Sequence, residues 1–170
     1  MPFTVRSSTM SDFNAIDRLF QRSYPVLLKA DYAPSVLVTA IPLISKAQPQ
    51  LVTSGTYYVV EDDRGEIVGA GGWTRSAPGG QGAAEGVGHI RHVVTDHARV
   101  REGIGRVLMQ RIVMSAEYAR LSRLDCLSTI TAVPFYATCG FVEMQPVSVN
   151  LRPGIDFPAV LMRRSVKSIE

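Results

Sequence analysis

The sequence predicts an α+β fold in which strands and helices follow one another as β-α-(α)-β-β-β-α-β-α-β-β. Three stretches predict it. Residues 88–119 read as strand, tight glycine turn and long helix; residues 56–73 read as a hairpin; and the chain closes on strand-like segments after a short helix ending at Gly140. The 170 residues and 46% hydrophobic content supply a sizeable core, and no linker-like stretch divides them, so a single domain over residues 1–170 is expected.

Taken in order, Phe3 to Arg6 reads as a short first strand. Ser11-Asp12 is suited to cap a helix whose apolar positions Phe13, Ile16, Leu19 and Phe20 keep helical spacing, with Pro25 at its end or exit turn. Residues 26–50 carry Pro34, Pro42 and Pro49, which predicts one or two short helices broken by turns, with apolar and aromatic residues available to line a pocket. Thr56 to Glu61 and Glu66 to Trp73 flank Asp62-Asp63-Arg64-Gly65, a hairpin with a glycine where positive φ is needed. Gly69, Gly71 and Gly72 weaken a strand, so a ligand or another chain segment is expected to lie close over them. Ser76 to Gly88 reads as a glycine-rich polar loop, a candidate lid.

The central unit is the most informative. His89 to Thr95 is a strand rich in β-branched residues. From Gly103 onward Ile104, Val107, Leu108, Ile112, Ala116 and Ala119 form one apolar helical stripe, with Arg106, Gln110, Arg111, Glu117 and Arg120 mostly off it. Leu124 to Leu127 is a further buried strand, Ser128 to Ala132 a loop and Val133 to Thr138 a helix with Gly140 as its C-terminal cap. Phe141 to Glu143, Val147 to Leu151 and Ala159 to Met162 are strand-like, Pro153-Gly154 turns between the last two, and the tail 165–170 is expected to fray.

Composition narrows the function. A net charge of +3 from 18 basic and 15 acidic residues does not by itself make a nucleic-acid-binding surface, although it suits a local anion site. Cys126 and Cys139 form no disulfide framework and read as reduced core residues. The N-terminal stretch has no apolar h-region and no run of about 18 uncharged apolar residues occurs, so a soluble cytoplasmic protein without a membrane partner is expected.

The loop Val100-Arg101-Glu102-Gly103-Ile104-Gly105-Arg106 places two glycines where the first helical N–H groups are still unpaired, which is an arrangement for holding an anion. A dinucleotide fingerprint is excluded by the missing third glycine and the missing acidic residue, and a P-loop by its missing lysine and hydroxyl. What fits is this loop followed by Pro134-Phe135-Tyr136-Ala137-Thr138-Cys139-Gly140-Phe141. Together they resemble the GCN5-related N-acetyltransferase family, whose pattern runs V-x-P, Arg/Gln-x-x-Gly-x-Gly/Ala, then Asn, a helix carrying Tyr, and Gly-Phe. The resemblance covers nearly the whole chain, including the Arg6, Asp12 and Phe20 pattern, the EDDRGEIVGAGGW hairpin and the closing Val160-Leu161-Met162 strand.

The resemblance implies a mixed, mostly antiparallel central sheet flanked by helices and parted between its fourth and fifth strands. It implies acetyl-CoA as co-substrate, with the backbone of Val93, Val94 and Thr95 along the pantetheine arm and Arg101, Glu102, Gly103, Ile104, Gly105 and Arg106 around the pyrophosphate. Independently of the family, pantetheine carries two amides that can add to a strand edge, and a diphosphate is stabilised by helix N-terminal amides. The sequence departs from the family at Thr95, His97, Val100 and Thr129; Thr129 replaces the usual Asn but keeps a hydroxyl that can meet the coenzyme.

Tyr136 stands where the family has its general acid; the alternative reading is a core Tyr with its hydroxyl satisfied. No carboxylate base stands out. His89 and His92 are therefore candidate bases, each with the alternative of a hydrogen-bonded structural histidine. A metal site of His89, His92 and His97 is rejected, because positions three apart on a regular strand face opposite sides unless a bulge intervenes. Arg91 has two readings, a ligand for an acidic substrate group or a partner for Asp125. By analogy with the family, residues 24–50 and the loop 76–88 form the acceptor walls, offering Tyr24, Tyr32 and Arg75 as polar contacts for a small-molecule or peptide amine. The expected activity is direct acetyl transfer from acetyl-CoA to an amine. A coenzyme-binding sensor without turnover is the alternative, and a homodimer is left open.

Overall fold

The computed structural model describes residues 2–78 and 82–167. Among them the elements are β1 (Thr4–Ser7), α1 (Phe13–Leu28), α2 (Pro34–Ile44), α3 (Pro49–Val52), β2 (Tyr57–Glu61), β3 (Ile67–Thr74), β4 (Val87–Thr95), α4 (Ile104–Tyr118), β5 (Arg123–Thr129), α5 (Val133–Thr138), β6 (Val142–Arg152) and β7 (Ile155–Ser165). The seven strands form one sheet in the order β1-β2-β3-β4-β5-β7-β6. Only the β4–β5 pair is parallel, so the sheet is mixed and mostly antiparallel.

Side chains alternate across a strand, and β2 shows what that builds. Tyr58 and Val60 join a core under α4 with Ile104, Leu108 and Ile112. Tyr57 and Val59 point the other way and pack with Ile16, Leu19, Phe20 and Leu28 of α1. Strands β2 and β3 are therefore covered on both faces, which is why they are apolar almost without interruption. Leu108 and Ile112 are fully buried, each worth roughly 1.5–3 kcal/mol of apolar transfer. The buried set of α4 also includes Met109 and Val113, a wider stripe than the sequence spacing predicts.

The glycines of β3 admit another chain segment, not a ligand. A Cβ on Gly69 would stand 2.7 Å from Ile104 of α4, one on Gly71 2.7 Å from Val93, and one on Gly72 2.2 Å from the Thr56 carbonyl. The hairpin turn has Gly65 at φ 79° as expected, with its N–H donating to Asp62 O at 3.0 Å.

Several sequence expectations are corrected. Helix α1 runs through Pro25 to Leu28, because Tyr24 and Leu28 on either side of it are buried against the sheet and that burial outweighs one lost helical hydrogen bond. Asp12 does not cap α1: its carboxylate accepts the Thr9 N–H at 2.8 Å and pairs with Arg6 at 2.8 Å, while Arg6 also binds Glu61. The glycine-rich loop ends at Gly86, since Gly88 is within β4; its residues 79–81 lie outside the described residues. The two expected strands Phe141 to Glu143 and Val147 to Leu151 are one strand, β6, which starts at Val142 with Phe141 just before it. The tail is ordered as far as it is described: Ser165 closes β7 and Val166 is buried, its N–H donating to Ser122 O at 2.9 Å, whereas residues 168–170 lie outside the described residues.

Candidate active site

β4 and β5 pair through Val87, Gly88 and His89 against Arg123, Leu124 and Asp125, and then separate. Beyond that point β4 stays with β3 as far as Thr95, and β5 stays with β7 as far as Thr129. The two unpaired edges flank a cleft of about 2270 Å³ lined by Ile90 to Thr95 on one side and Cys126, Leu127 and Thr129 on the other. A bulge marks the parting. Ala70 pairs Val94 and Gly72 pairs Arg91, so Gly71 faces both His92 and Val93, and His92 takes a left-handed φ of 43°.

The loop before α4 forms one end of the cleft. Arg101 and Gly103 are both left-handed, at φ 66° and 85°, and the helix's first backbone bond runs from Val107 N to Gly103 O at 3.1 Å. The N–H groups of Ile104, Gly105 and Arg106 therefore have no helical acceptor. Arg101 and residues 103–106 line the cleft. Glu102 does not; it is held by Arg99 at 3.0 Å, and Arg99 also binds Asp62 at 2.8 Å, which braces the loop against the hairpin. The two glycines have different causes. At Gly103 the space is open and the positive φ requires the residue, whereas a Cβ at Gly105 would come within 2.8 Å of the Phe135 ring.

That ring belongs to α5, which carries Tyr136. The helix closes as a Schellman motif, Phe141 N to Tyr136 O at 3.0 Å and Gly140 N to Ala137 O at 3.2 Å with Gly140 at φ 88°. Tyr136 packs edge-on against Phe135 and Phe141, with centroids at 5.4 and 5.3 Å, and lines the cleft with 5% of its surface exposed. Burial, followed by the neighbouring Cys126 thiol, pushes its phenol well above the ordinary 10. Burial pushes Cys126 itself up to about 12. Thr129 also lines the cleft, and its Oγ1 accepts the Ala132 N–H at 3.2 Å, so the hydroxyl's own hydrogen is left to donate.

On the α1 side the candidates separate. His92 lines the cleft, stacks on Phe20 at 5.5 Å and has Nδ1 3.4 Å from the Tyr24 hydroxyl. Burial first, and the Arg91 charge second, push its imidazole down to about 4, so it is neutral but a weak base. Tyr24 lines the cleft beside it, its phenol raised by burial. Arg91 lines it too and donates to Thr74 Oγ1 at 3.2 Å. The pairing of Arg91 with Asp125 is not formed: Arg123 and Arg163 hold that carboxylate at 3.0 and 3.1 Å.

Three others are elsewhere. His89 is at the paired root of β4, between Thr74 and Asp125, with its imidazole lowered by burial, and does not line the cleft. Tyr32 is not a free polar contact. Its hydroxyl donates to Pro158 O at 2.7 Å and accepts Ile130 N–H at 2.8 Å while its ring stacks on Phe157, so it fastens the wall from behind. Arg75 lies over the Trp73 ring at 5.6 Å, away from the cleft lining. The bulge required to turn the strand histidines together exists, but it sends His92 onto Phe20, and no group of three His, Cys, Asp or Glu able to hold a metal occurs among the described residues.

Sequence reasoning missed the β6–β7 hairpin as a wall: Val147, Val149, Leu151 and Phe157 line the cleft. The signal was the alternation of Val147, Val149 and Leu151 with Ser148 and Asn150, which marks one apolar face. No helix among the described residues is long and apolar enough to cross a membrane.

Residues 30–159 match the family model described as acetyltransferase (GNAT) domain. No curated protein sequence matches the chain. Among solved structures, it is similar to the GCN5-related N-acetyltransferase of Rhodopseudomonas palustris, with a TM-score of 0.77 at 18% identity over 98% of this chain and 97% of that one. The PaiA N-acetyltransferase of Thermoplasma acidophilum, solved with coenzyme A, gives 0.72 at 10% identity over 97% and 99%. A protein of Corynebacterium glutamicum described as histone acetyltransferase HPA2 and related acetyltransferase gives 0.64 at 24% identity over 100% and 99%. At these identities the likeness is one of fold.

Proposed function

The chain belongs to the GNAT acetyltransferase family, and we propose that it transfers an acetyl group from acetyl-CoA directly to an amine. The observation that carries this reading is the parting of β4 from β5, which leads from the Tyr136 ring to the open N-terminus of α4. The lining suits the coenzyme's chemistry. Residues Ile90 to Thr95 have a strand edge without a partner, which can receive the two amides of pantetheine. Arg101, Arg106 and the free N–H groups of residues 104–106 offer a cationic, hydrogen-bonding seat for the pyrophosphate.

In the reaction the amine lone pair forms a C–N bond to the thioester carbonyl, the C–S bond breaks and the thiolate gains a proton, while the proton shed by the nitrogen passes to solvent, from which the proton donor is restored. Tyr136 supplies the first proton. Its phenol stays protonated at every physiological pH, and because its pKa lies above the roughly 8.5 of a thiol, it stabilises the departing sulfur as a hydrogen-bond donor before it transfers the proton. His92 accepts a hydrogen bond from the incoming amine and orients it, as its low basicity fits positioning better than deprotonation.

Calorimetry with acetyl-CoA tests the reading. Binding is expected in wild type and lost in Gly103→Trp; no heat at millimolar coenzyme overturns it. A second reading, coenzyme binding without turnover, draws on one observation: Glu117 is the sole carboxylate among the described cleft-lining residues, leaving no evident base beside His92. Thiol release well above hydrolysis with any amine of a broad panel discards that second reading.

A further inference from the structure

Five arginines line the cleft among the described residues: Arg99 is paired with Asp62 and Glu102, Arg101 and Arg106 stand at the start of α4, Arg164 lies beside Gly140 just past α5, and the fifth is Arg91. Arg91 differs. It lies on the α1 side of the sheet next to the bulge, and it is the one charged residue among the described lining on that side. Its polar contact is the neutral Thr74 hydroxyl, through Nη1, and no carboxylate of the described residues is paired with it. Nη2 and Nε are left to donate, the pair of N–H groups that a carboxylate meets side by side. Burial lowers its pKa from 12.5, yet a guanidinium keeps its charge at neutral pH, so an uncancelled cation stands in a partly desolvated wall.

Among the described residues the walls of the same half of the cleft are largely hydrocarbon and otherwise uncharged, with Gln48, Ser148 and Asn150 as neutral polar groups among them. Leu28, Leu43 and Ile44 come from α1 and α2, and Val149 and Phe157 from the hairpin across the cleft. A simple cationic amine would meet like charge here and gain nothing from the apolar walls. An amine whose own molecule carries an anion and a hydrocarbon body meets both features at once.

Resting on the acetyltransferase reading, we propose that the acceptor is a primary amine bearing a carboxylate beside an apolar body, as in a hydrophobic α-amino acid, and that Arg91 receives the carboxylate. Tyr24 and His92, next to Arg91 on the same wall, then face the amine side of the same small molecule.

The test is a matched pair of product-like ligands, N-acetyl-L-leucine and N-acetyl-L-leucinamide, titrated calorimetrically into protein saturated with CoA. The acid is expected to bind at least tenfold more tightly than the amide. Arg91→Gln should bring the ratio near one, and Arg91→Lys, which keeps the charge but not the fork, should keep a reduced preference; melting curves check that each variant is folded. Equal binding of acid and amide, or binding of neither by protein that holds CoA, overturns the carboxylate acceptor and leaves acetyl transfer standing. A preference that survives in Arg91→Gln overturns the role of Arg91. Protein that fails to hold CoA at all overturns the underlying reading instead.

Discussion

The Tyr57 hydroxyl donates to the main-chain carbonyl of His92 at 2.8 Å, tying a fully buried residue of β2 to the residue of β4 at the left-handed bulge position. A non-glycine residue at positive φ costs on the order of 1–2 kcal/mol and persists where its surroundings fix it. This hydrogen bond is one such fixing, and the stack of His92 on Phe20 is another. Tyr57→Phe strips the donor from a carbonyl in the covered part of the sheet, and a loss of about 1–3 kcal/mol in urea unfolding is expected. A change below about 0.5 kcal/mol would show that the carbonyl finds another donor.

The His92 imidazole supplies a pH dependence. The groups facing it are the Phe20 ring and Tyr24 phenol of α1, the Tyr57 hydroxyl below and the adjacent Arg91, none of them an anion at neutral pH. Its folded pKa of about 4 lies below the 6.5 of the unfolded chain, so between those values the unfolded state binds more protons. Stability contributed by neutral His92 is complete above pH 6.5 and falls as the pH drops toward 4, by on the order of 3 kcal/mol in all. His89, also lowered by burial, acts in the same direction. Urea midpoints of wild type and His92→Gln across this range check it: the acid-side loss should be smaller in the variant by most of that amount.

Gly72 and Gly103 separate packing from backbone conformation. A Cβ at Gly72 would lie 2.2 Å from the Thr56 carbonyl and 2.6 Å from Tyr57 Cα, both backbone atoms that cannot swing aside. Gly72→Ala is therefore expected to cost about 3 kcal/mol or more, seen as a large fall in melting temperature. Gly103→Ala meets no atom and pays only for its φ of 85°, about 1 kcal/mol, but it distorts the turn that presents the α4 N-terminus. Weaker acetyl-CoA binding with near-normal melting is the expected pattern there, and the reverse pattern in either variant would contradict these assignments.

The ease with which parts of this molecule are read from its sequence follows from how local their causes are. Helix α5 spans Val133 to Thr138 as the sequence predicts, because Pro134 suits a first turn and Gly140 a left-handed cap, both chemical facts about single residues. The start of α4 at Gly103 is legible for the same reason. The bulge is not. His92 and Val93 look like any strand pair, and the trace lies on another strand, in Gly71, whose missing side chain leaves room for Val93. Tyr32 and Arg75 look like available polar groups in sequence, but Pro158, Ile130 and Trp73, distant in the chain or stacked alongside, already engage them. Pro25 misleads because a proline's local penalty is visible and the burial of Tyr24 and Leu28 is tertiary.

Tyr136 supports the sharpest prediction, because its two roles differ in what the hydroxyl does. Tyr136→Phe keeps the ring against Phe135 and Phe141 and keeps the Schellman cap, whose bonds are all backbone. The side chain that meets the lost hydroxyl is the Cys126 thiol, a weak partner, so little stability should go with it. If the phenol donates to the departing thiolate, turnover falls on the order of a hundredfold or more, while acetyl-CoA affinity, which we propose rests on Arg101, residues 103–106 and the edge of β4, barely moves. If the hydroxyl is structural, the fall appears in stability, on the order of 1 kcal/mol, and turnover per folded molecule is kept. The raised pKa adds a second reading of the same variant pair. A donor whose own pKa lies well above 10 shows no titration of its own in the wild-type rate near neutral pH, so a basic limb near pH 8 shared by wild type and Tyr136→Phe must belong to another group. Measuring thiol release, coenzyme binding and melting on the one variant separates the roles, and an unchanged rate with intact coenzyme binding removes Tyr136 from the reaction.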